Sequence, residues 1–413
     1  MPLHSSVVAQ STLGLHSLEH YEPLIGASSL ERISRKADRV RTMRIAHVSS
    51  TFYGGGVTEL LTPLTLMQNA MGIETDWHLI QGTPGFFAGT KKLHNGLQGE
   101  DVDFSDTERA VYEEVVFENA TRIHLDDCDA VIVHDPQPLP LISHFSDREM
   151  PWLWQCHVDL SQPFGPTLAY LRNFAEQYDG AIFSLPEYAQ DFAVSQHFVR
   201  PAIDPFSPKN CELSDAQVER CLSGHGIPTD RPLVTQISRF DRWKDPLGVI
   251  QAFRLARQQV DCRLVLIGSS ASDDPEGAAV LEAVKRAADE SVIVLAVDDP
   301  VLVNALQRRS AVILQKSTRE GFGLTVTEAM WKGAAVIGGN VGGIRHQIED
   351  GWNGFLVNSP DEAAARIVQL LKDARLREQL GSRAKESVRE KFLMSRLLED
   401  WLDLLISYER IAV

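Results

Sequence analysis

Cysteine is scarce and unpatterned in this chain of 413 residues. The five, Cys128, Cys156, Cys211, Cys221 and Cys262, are scattered and include no CxxC pair. Such a set argues against a disulfide framework or a zinc site and fits a reducing cytoplasm. Cys156 lies in the apolar run Trp152–Cys156, which makes it a packed thiol rather than a nucleophile. No apolar run reaches the roughly 18 residues of a membrane span. The opening MPLHSSVVAQSTLGLHSLEH has neither the basic region nor the apolar core of a signal peptide. Basic charge is also short: 40 Lys and Arg face 56 Asp and Glu, a formal net charge of -16. That balance excludes nucleic acid or an anionic membrane surface as the main partner. The dinucleotide fingerprint GxGxxG is missing as well, which sets aside a dinucleotide oxidoreductase.

What is present is size and alternation. With 44% hydrophobic and 23% charged residues, the chain has ordinary globular composition and enough length for two cores. From Met43, apolar strand candidates alternate with helical stretches: Met43–Ser49, Asp76–Gln81, Ala130–His134, Trp152–His157 and Ala181–Leu185. A second series runs through Leu233–Ser238, Arg263–Gly268, Val292–Val297, Val312–Gln315, Ala335–Gly338 and Gly354–Val357. Repeated βα units of this length imply parallel sheets covered on both faces. The expectation is therefore α/β, two doubly wound Rossmann-like domains facing across a cleft, with ligands at the carboxyl ends of strands. Three prolines in Arg200–Pro208 mark the boundary. The division is an extension 1–42, a first domain 43–205, a second domain 206–390 and a terminal helix 391–413 that returns to the first domain. Within the extension, Leu30–Val40 reads as a short amphipathic helix. The end of the chain reads as helical over Asp361–Asp373 and from Arg375 through Arg410.

The segment that carries most chemistry is Thr318-Arg-Glu320-Gly-Phe-Gly323-Leu-Thr-Val-Thr-Glu328. A buried strand before it and a helix from Leu324 to Lys332 after it put the N–H groups of Gly323, Leu324 and Thr325 at a helix start, which suits a phosphate. Glu320 sits beside that anion and Glu328 about one turn into the helix. A carboxylate accepts two hydrogen bonds from a vicinal diol. One ligand with both phosphate and polyol fits, and that is a nucleotide sugar. Taken alone, a strand, glycine loop and helix with some acids is common in α/β proteins.

Other strand ends add to the pattern. Gly54, Gly55 and Gly56 follow the first strand and can bring amides to a phosphate or sugar oxygen, though a tight turn would also use them. Arg239 and Lys244 leave the first strand of the second domain, where they can clamp a diphosphate rather than serve as two solvated cations. His157 with Asp159, and His134 with Asp135, end neighbouring strands and look like a sugar-binding floor. Asn95, in the run Lys91-Lys-Leu-His94-Asn95, can reach the same pocket from a loop.

Together these residues resemble the retaining glycosyltransferases of the two-Rossmann-domain (GT-B) type, family 4. The E-x7-E signature falls on Glu320 and Glu328, the basic pair on Arg239 and Lys244, the glycine loop on Gly54–Gly56, and the histidine on His157. The stretches FYGGGVTELL, VHDPQPLP, PWLWQCHVDLS, LPEY, SRFDRWKDP, DDPEG and REGFGLTVTEAMWKG are similar to the branch that makes trehalose from NDP-glucose and glucose. The resemblance starts near residue 43, and Asp245 stands where many relatives have a further Lys or Gly.

The resemblance implies a donor such as UDP-, ADP- or GDP-glucose, free glucose as acceptor, no tightly bound cofactor and no metal. Arg239 and Lys244 would neutralise the departing diphosphate, helped by the amides of Gly323, Leu324 and Thr325. Glu328 would bind the ribose, while Glu320 and His157 would hold the donor glucose. Gly55 and Gly56 would lie at the donor–acceptor junction, and Asp135 and Asn95 would contact the acceptor. The extension leaves room for a homodimer contact. Two alternatives stay open: a family-4 enzyme with another acceptor, such as a sugar phosphate, and a non-catalytic nucleotide-sugar-binding protein.

Overall fold

The two strand series build two separate parallel sheets, one in each of two units. The computed structural model describes residues 17–50, 55–268 and 275–409. One unit comprises the chain up to Ala202 together with the part from Met394 on, and the other is Ile203–Leu393.

In the first unit the strands are β1 (Arg44–Ser49), β2 (Glu74–Leu79), β3 (Ala130–His134), β4 (Trp152–Cys156), β5 (Gly180–Phe183) and β6 (Ser195–Phe198). They lie in the order β2-β1-β3-β4-β5-β6, all parallel. In the second unit they are β7 (Leu233–Ile237), β8 (Arg263–Gly268), β9 (Val292–Ala296), β10 (Val312–Gln315), β11 (Val336–Gly339) and β12 (Phe355–Val357). Their order is β12-β11-β10-β7-β8-β9, again parallel throughout. Each order reverses once, between β1 and β3 in the first sheet and between β7 and β10 in the second. Loops leaving the two strands at such a switch point diverge and open a crevice at their carboxyl ends.

Side chains alternate across each sheet. Ala46, Val48, Val131, Val133, Trp152, Trp154 and Cys156 pack into one core cluster of the first unit. Ile45, His47, Ile132, His134, Leu153 and Gln155 therefore face the other side. The second sheet has a core on each face, with Val234 and Leu264 on one side and Leu233 and Val265 on the other.

Several expectations are corrected. Asn95 is not on a loop: Thr83 accepts a hydrogen bond from Phe86 N at 3.2 Å, Pro84 opens the helix, and the helix runs Pro84–Leu97. A capping box of Ser214 and Gln217 starts a second unforeseen helix, Asp215–Gly224. Strand β6 (SQHF) lacks an apolar run and was not foreseen. His157 falls just past β4 rather than in it. The terminal helical stretch is two helices, Ala374–Lys391 and Met394–Tyr408, separated at Phe392 and Leu393.

The last helix crosses back to the first unit and packs on Ala27–Val40 and Gly56–Ala70. Arg32 and Lys36 both bind Glu399, at 2.7 and 2.8 Å, and Lys36 also binds Asp403 at 2.7 Å. Tyr408 bonds its hydroxyl to His197 Nε2 on β6 at 2.8 Å. Among the described residues no helix is long and apolar enough to cross a membrane.

The hydrogen bond from Arg32, with that from Lys36, pulls the Glu399 carboxyl from its ordinary 4.5 to about 2. A depressed carboxylate contributes stability above its unfolded value, and the contribution disappears as the pH falls through the folded one. Glu399→Gln should speed amide exchange across Ala27–Val40 roughly fivefold at neutral pH, the scale of about 1 kcal/mol for ion pairs near a surface. The difference from the wild type should close as the pH falls from about 4.5 to about 2, followed by hydrogen–deuterium exchange mass spectrometry.

Candidate active site

At the switch point of the second unit, the loops after β7 and β10 meet. Asp241 accepts from Trp243 N at 2.8 Å and starts a short helical turn over Arg242–Lys244. Thr318 N then donates to Trp243 O at 2.7 Å, which ties the two loops together. Lys244 Nζ stands 2.7 and 2.6 Å from the two carboxylate oxygens of Glu320. Ser317 Oγ donates to the same carboxylate at 3.0 Å. Both members of this ion pair are largely covered, with 17% and 10% of their side-chain surface exposed, so the contact is far less screened than a surface pair. Asp245 pairs with Lys316 and caps the helix Pro246–Arg257 through Gly248 N at 3.1 Å. Arg239 leaves β7 half-buried, and among the described residues its guanidinium makes no ion pair.

Gly323 carries the chain from this loop into the helix Leu324–Trp331 with φ of +89°, a conformation that side chains disfavour. Leu324 and Thr325, as the first two residues of the helix, have N–H groups without an intrahelical acceptor. Gln347 braces the turn, donating to Phe322 O at 2.7 Å and accepting from Thr327 Oγ1 at 2.6 Å. Glu328 lies one turn in and is only 1% exposed, with Lys209 Nζ at 3.3 Å. One further turn on, Lys332 Nζ is held by Asn210 Oδ1 and Gln307 Oε1, both at 2.6 Å. Behind this helix, Gly333 and Gly381 of the helix Ala374–Lys391 touch backbone to backbone. A Cβ on Gly381 would fall 1.9 Å from Gly333 O.

In the first unit, Gly55 has φ of +98° and precedes the helix Gly56–Ala70. Gly54 lies outside the described residues. Past β3, Asp135 adopts φ of +64° and its Oδ1 accepts from His157 N at 2.8 Å. Burial pushes the Asp135 carboxyl up, partly offset by His157. His157 is half-buried, and its Nε2 lies 3.1 Å from His134 Nδ1, whose ring in turn meets His47 Nδ1 at 2.9 Å. Burial drives the imidazolium form of all three down, His47 to about 3. Asp159 is buried and turned toward Ser161, accepting from its N and Oγ at 2.9 and 2.6 Å. Burial likewise pushes the Cys156 thiol up, as expected for a core residue.

The structure thus brings Lys244 to Glu320, and the Gly323–Thr325 turn to Glu328, within the second unit. It joins Asp135 to His157 in the first. Asn95 lies near the end of the helix Pro84–Leu97, 3% exposed, with its backbone carbonyl accepting from Gln98 N and Glu100 N at 3.0 and 3.1 Å. Sequence reasoning missed Lys209, Lys332, Ser317, His47 and Gln68. Lys332 had a signal, four positions after Glu328 on one helix face. His47 had one too, as an imidazole in an otherwise apolar strand. Lys209 had none, since the fold alone brings it to Glu328.

Burial pushes the Lys332 ammonium down to about 7, with Glu328 pulling it up and Lys209 and Arg308 pushing it further down. A depressed lysine binds fewer protons folded than unfolded between the two values, so stability rises with pH there. Relative to Lys332→Met, the wild type should gain stability as the pH rises from about 7 toward 10.5, read from urea unfolding midpoints of both proteins.

Two family models cover most of the chain: "Trehalose synthase, N-terminal domain" over residues 47–190 and "Glycosyl transferases group 1" over 219–387. The chain is 42% identical to trehalose synthase of Pyrococcus horikoshii, covering 97% of this chain and 98% of that protein. It is 39% identical to trehalose synthase of Rubrobacter xylanophilus, covering 95% and 97%. Among solved structures, Anabaena HepE in complex with UDP-glucose superposes with a TM-score of 0.70 at 17% identity, covering 88% of this chain and 99% of that one. The sucrose-phosphate synthase of Thermosynechococcus elongatus gives 0.69 at 18%, covering 88% and 98%. Likeness at that identity speaks for the fold, which is GT-B. Near-full-length identity to the trehalose synthases speaks for more: the chain belongs to the trehalose synthase family, within the group 1 glycosyl transferases.

Proposed function

We propose that this protein transfers glucose from a nucleoside diphosphate glucose to free glucose, giving α,α-trehalose and NDP with the donor configuration retained. The observation that carries the reading is the meeting of Lys244 and Glu320 at a parallel-sheet switch point, in a chain 42% identical to a trehalose synthase along its length. UDP-, ADP- and GDP-glucose are the donors considered, and no tightly bound cofactor is required. A reducing cytoplasm is the proposed setting.

An ammonium has three N–H bonds. Lys244 directs two toward Glu320 and keeps one for a diphosphate oxygen. Arg239 supplies the second positive charge, and the N–H groups of Gly323, Leu324 and Thr325 supply the helix-start dipole. Glu320 accepts from donor glucose hydroxyls while fixing Lys244. A ribose diol meets Glu328 together with Lys209 rather than as a bare carboxylate. In the first unit, His157 contacts the donor sugar, and Gly55 and Gly56 serve the junction. Asp135 contacts the acceptor and also orients His157. Asn95, on the helix Pro84–Leu97, is the second acceptor contact.

Transfer proceeds on one face of the sugar. The bond from glucose C1 to the leaving phosphate oxygen breaks, and the bond from C1 to the acceptor hydroxyl oxygen forms. The acceptor proton passes to that phosphate oxygen. The protein positions the reactants and stabilises charge on the diphosphate, so no side-chain nucleophile is needed.

A phosphorylated acceptor would call for free cations in the first unit. Lys92 is already held by Glu108 at 2.6 Å and by Asp103 O at 3.0 Å, which favours free glucose. The test is NDP release from UDP-, ADP- and GDP-glucose with glucose or glucose 6-phosphate, with the product linkage identified by NMR. Glucose-dependent release and an α,α-1,1 product are expected. Release only with glucose 6-phosphate, or none with any donor, would overturn the reading. Arg239→Ala and Lys244→Ala should each lower kcat by roughly a hundredfold, as for lost preorganised charge. Glu328→Ala should mainly raise the donor KM, because ribose contacts are alike in ground and transition states.

A further inference from the structure

Two histidines on one face of the first sheet and a third just past β4 form a continuous hydrogen-bonded row. His47 Nδ1 meets His134 Nε2 at 2.9 Å, and His134 Nδ1 meets His157 Nε2 at 3.1 Å. The rings meet edge to edge and nearly parallel, at interplanar angles of 30° and 15°, with centroids 5.1 and 5.4 Å apart. Trp401 of the last helix closes the inner end edge-on, 5.6 Å from His47. His47 Nε2 is buried, as are both polar atoms of the Gln68 side chain, and among the described residues none of the three makes a hydrogen bond of normal geometry. The Gln68 side chain, on the helix Gly56–Ala70, acts to raise the His47 pKa against the burial that lowers it.

Proton counting restricts this row severely. A neutral imidazole has one N–H and one bare nitrogen. If His157 accepts at Nε2, then His134 must donate from Nδ1 and accept at Nε2, and His47 must donate from Nδ1. If His157 donates from Nε2, every proton moves to the other nitrogen. The rings are therefore all Nδ1–H or all Nε2–H, and a mixed set breaks a link. Burial, which keeps all three largely neutral, satisfies the premise. In the first state His47 presents a bare Nε2 to the Gln68 amide, and in the second it presents an N–H. Gln68 can answer either, through NH₂ or carbonyl. Among the described residues no hydrogen bond leads on from His47 Nε2 or the Gln68 side chain, so the row transmits hydrogen-bond polarity rather than conducting protons.

We propose that His47, His134 and Gln68 are positioning residues that act through His157, setting whether its outward Nδ1 donates to or accepts from a sugar hydroxyl. The control is remote from the sugar, and it uses a side chain on the helix that begins at Gly56. It rests on the reading of His157 as a sugar contact.

The test separates the two parts. Long-range ¹H–¹⁵N NMR of the full chain with ¹⁵N-histidine, without ligand at mildly alkaline pH, reads each tautomer directly. His47, His134 and His157, assigned by single substitution, should share one tautomer, and a mixed set overturns the proposal. Gln68→Met leaves Nε2 of His47 without a partner and should give Nδ1–H in all three rings. Gln68→Glu offers only acceptor oxygens and should give Nε2–H in all three. An unchanged His157 in both variants also overturns it. The kcat/KM for glucosyl transfer should then differ about tenfold between the two variants, the weight of one hydrogen bond. Equal loss in both would remove the link to the reaction. Absence of transfer in the wild type would instead fail the proposed function and leave the tautomer result standing.

Discussion

A parallel sheet whose strand order reverses once leaves a single place where backbone loops diverge and polar groups can gather without disrupting the core. Both sheets of this chain obey that constraint. Between β7 and β10 it places the Lys244–Glu320 pair, and between β1 and β3 it places His47 against His134. The helices, caps and crossovers hold these two places open. The order of the second sheet is that of dinucleotide-binding folds, yet the first loop lacks their glycine fingerprint. The same topology has been fitted with charge in place of a glycine cradle.

The two switch points solve opposite problems. In the second unit the ionic groups are partly covered and paired: Lys244 with Glu320, Lys209 with Glu328, Lys316 with Asp245. Breaking such a pair strands a charge in a poorly solvated place, so each partner constrains the other's position. In the first unit burial removes charge instead, leaving neutral rings whose only freedom is the placement of their protons. One half keeps its charges in pairs, and the other keeps none.

Most of the architecture was legible because buried parallel strands are dense apolar runs, and β3, β8 and β10 fell where those runs lie. Strand β6 was not, since SQHF is an edge segment held partly by Tyr408 from the far end of the chain. The helices at Pro84 and Asp215 had readable starts, a Thr-Pro step and a Ser-x-x-Gln box, that the apolar pattern overshadowed. Glu320, Glu328, Arg239 and Lys244 could be picked out because their spacing follows a strand–loop–helix. Their partners could not: Lys209 to Glu328 and His47 to His134 are joined across long stretches of chain. Strand alternation does place His47, His134 and Gln155 on one face, so the row was half-written in the order of residues.

The contact between Gly333 and Gly381 has a reach beyond packing. The helix carrying Glu328 ends against a neighbour with no room for even a methyl group, carbonyl against Cα. Position 381 thus works as a set-screw on the helix that carries Glu328. Variation there would shift that helix without touching Glu328 itself. Side chains at this contact would then be accepted in pairs, one near Gly333 and one on the helix Ala374–Lys391, rather than singly.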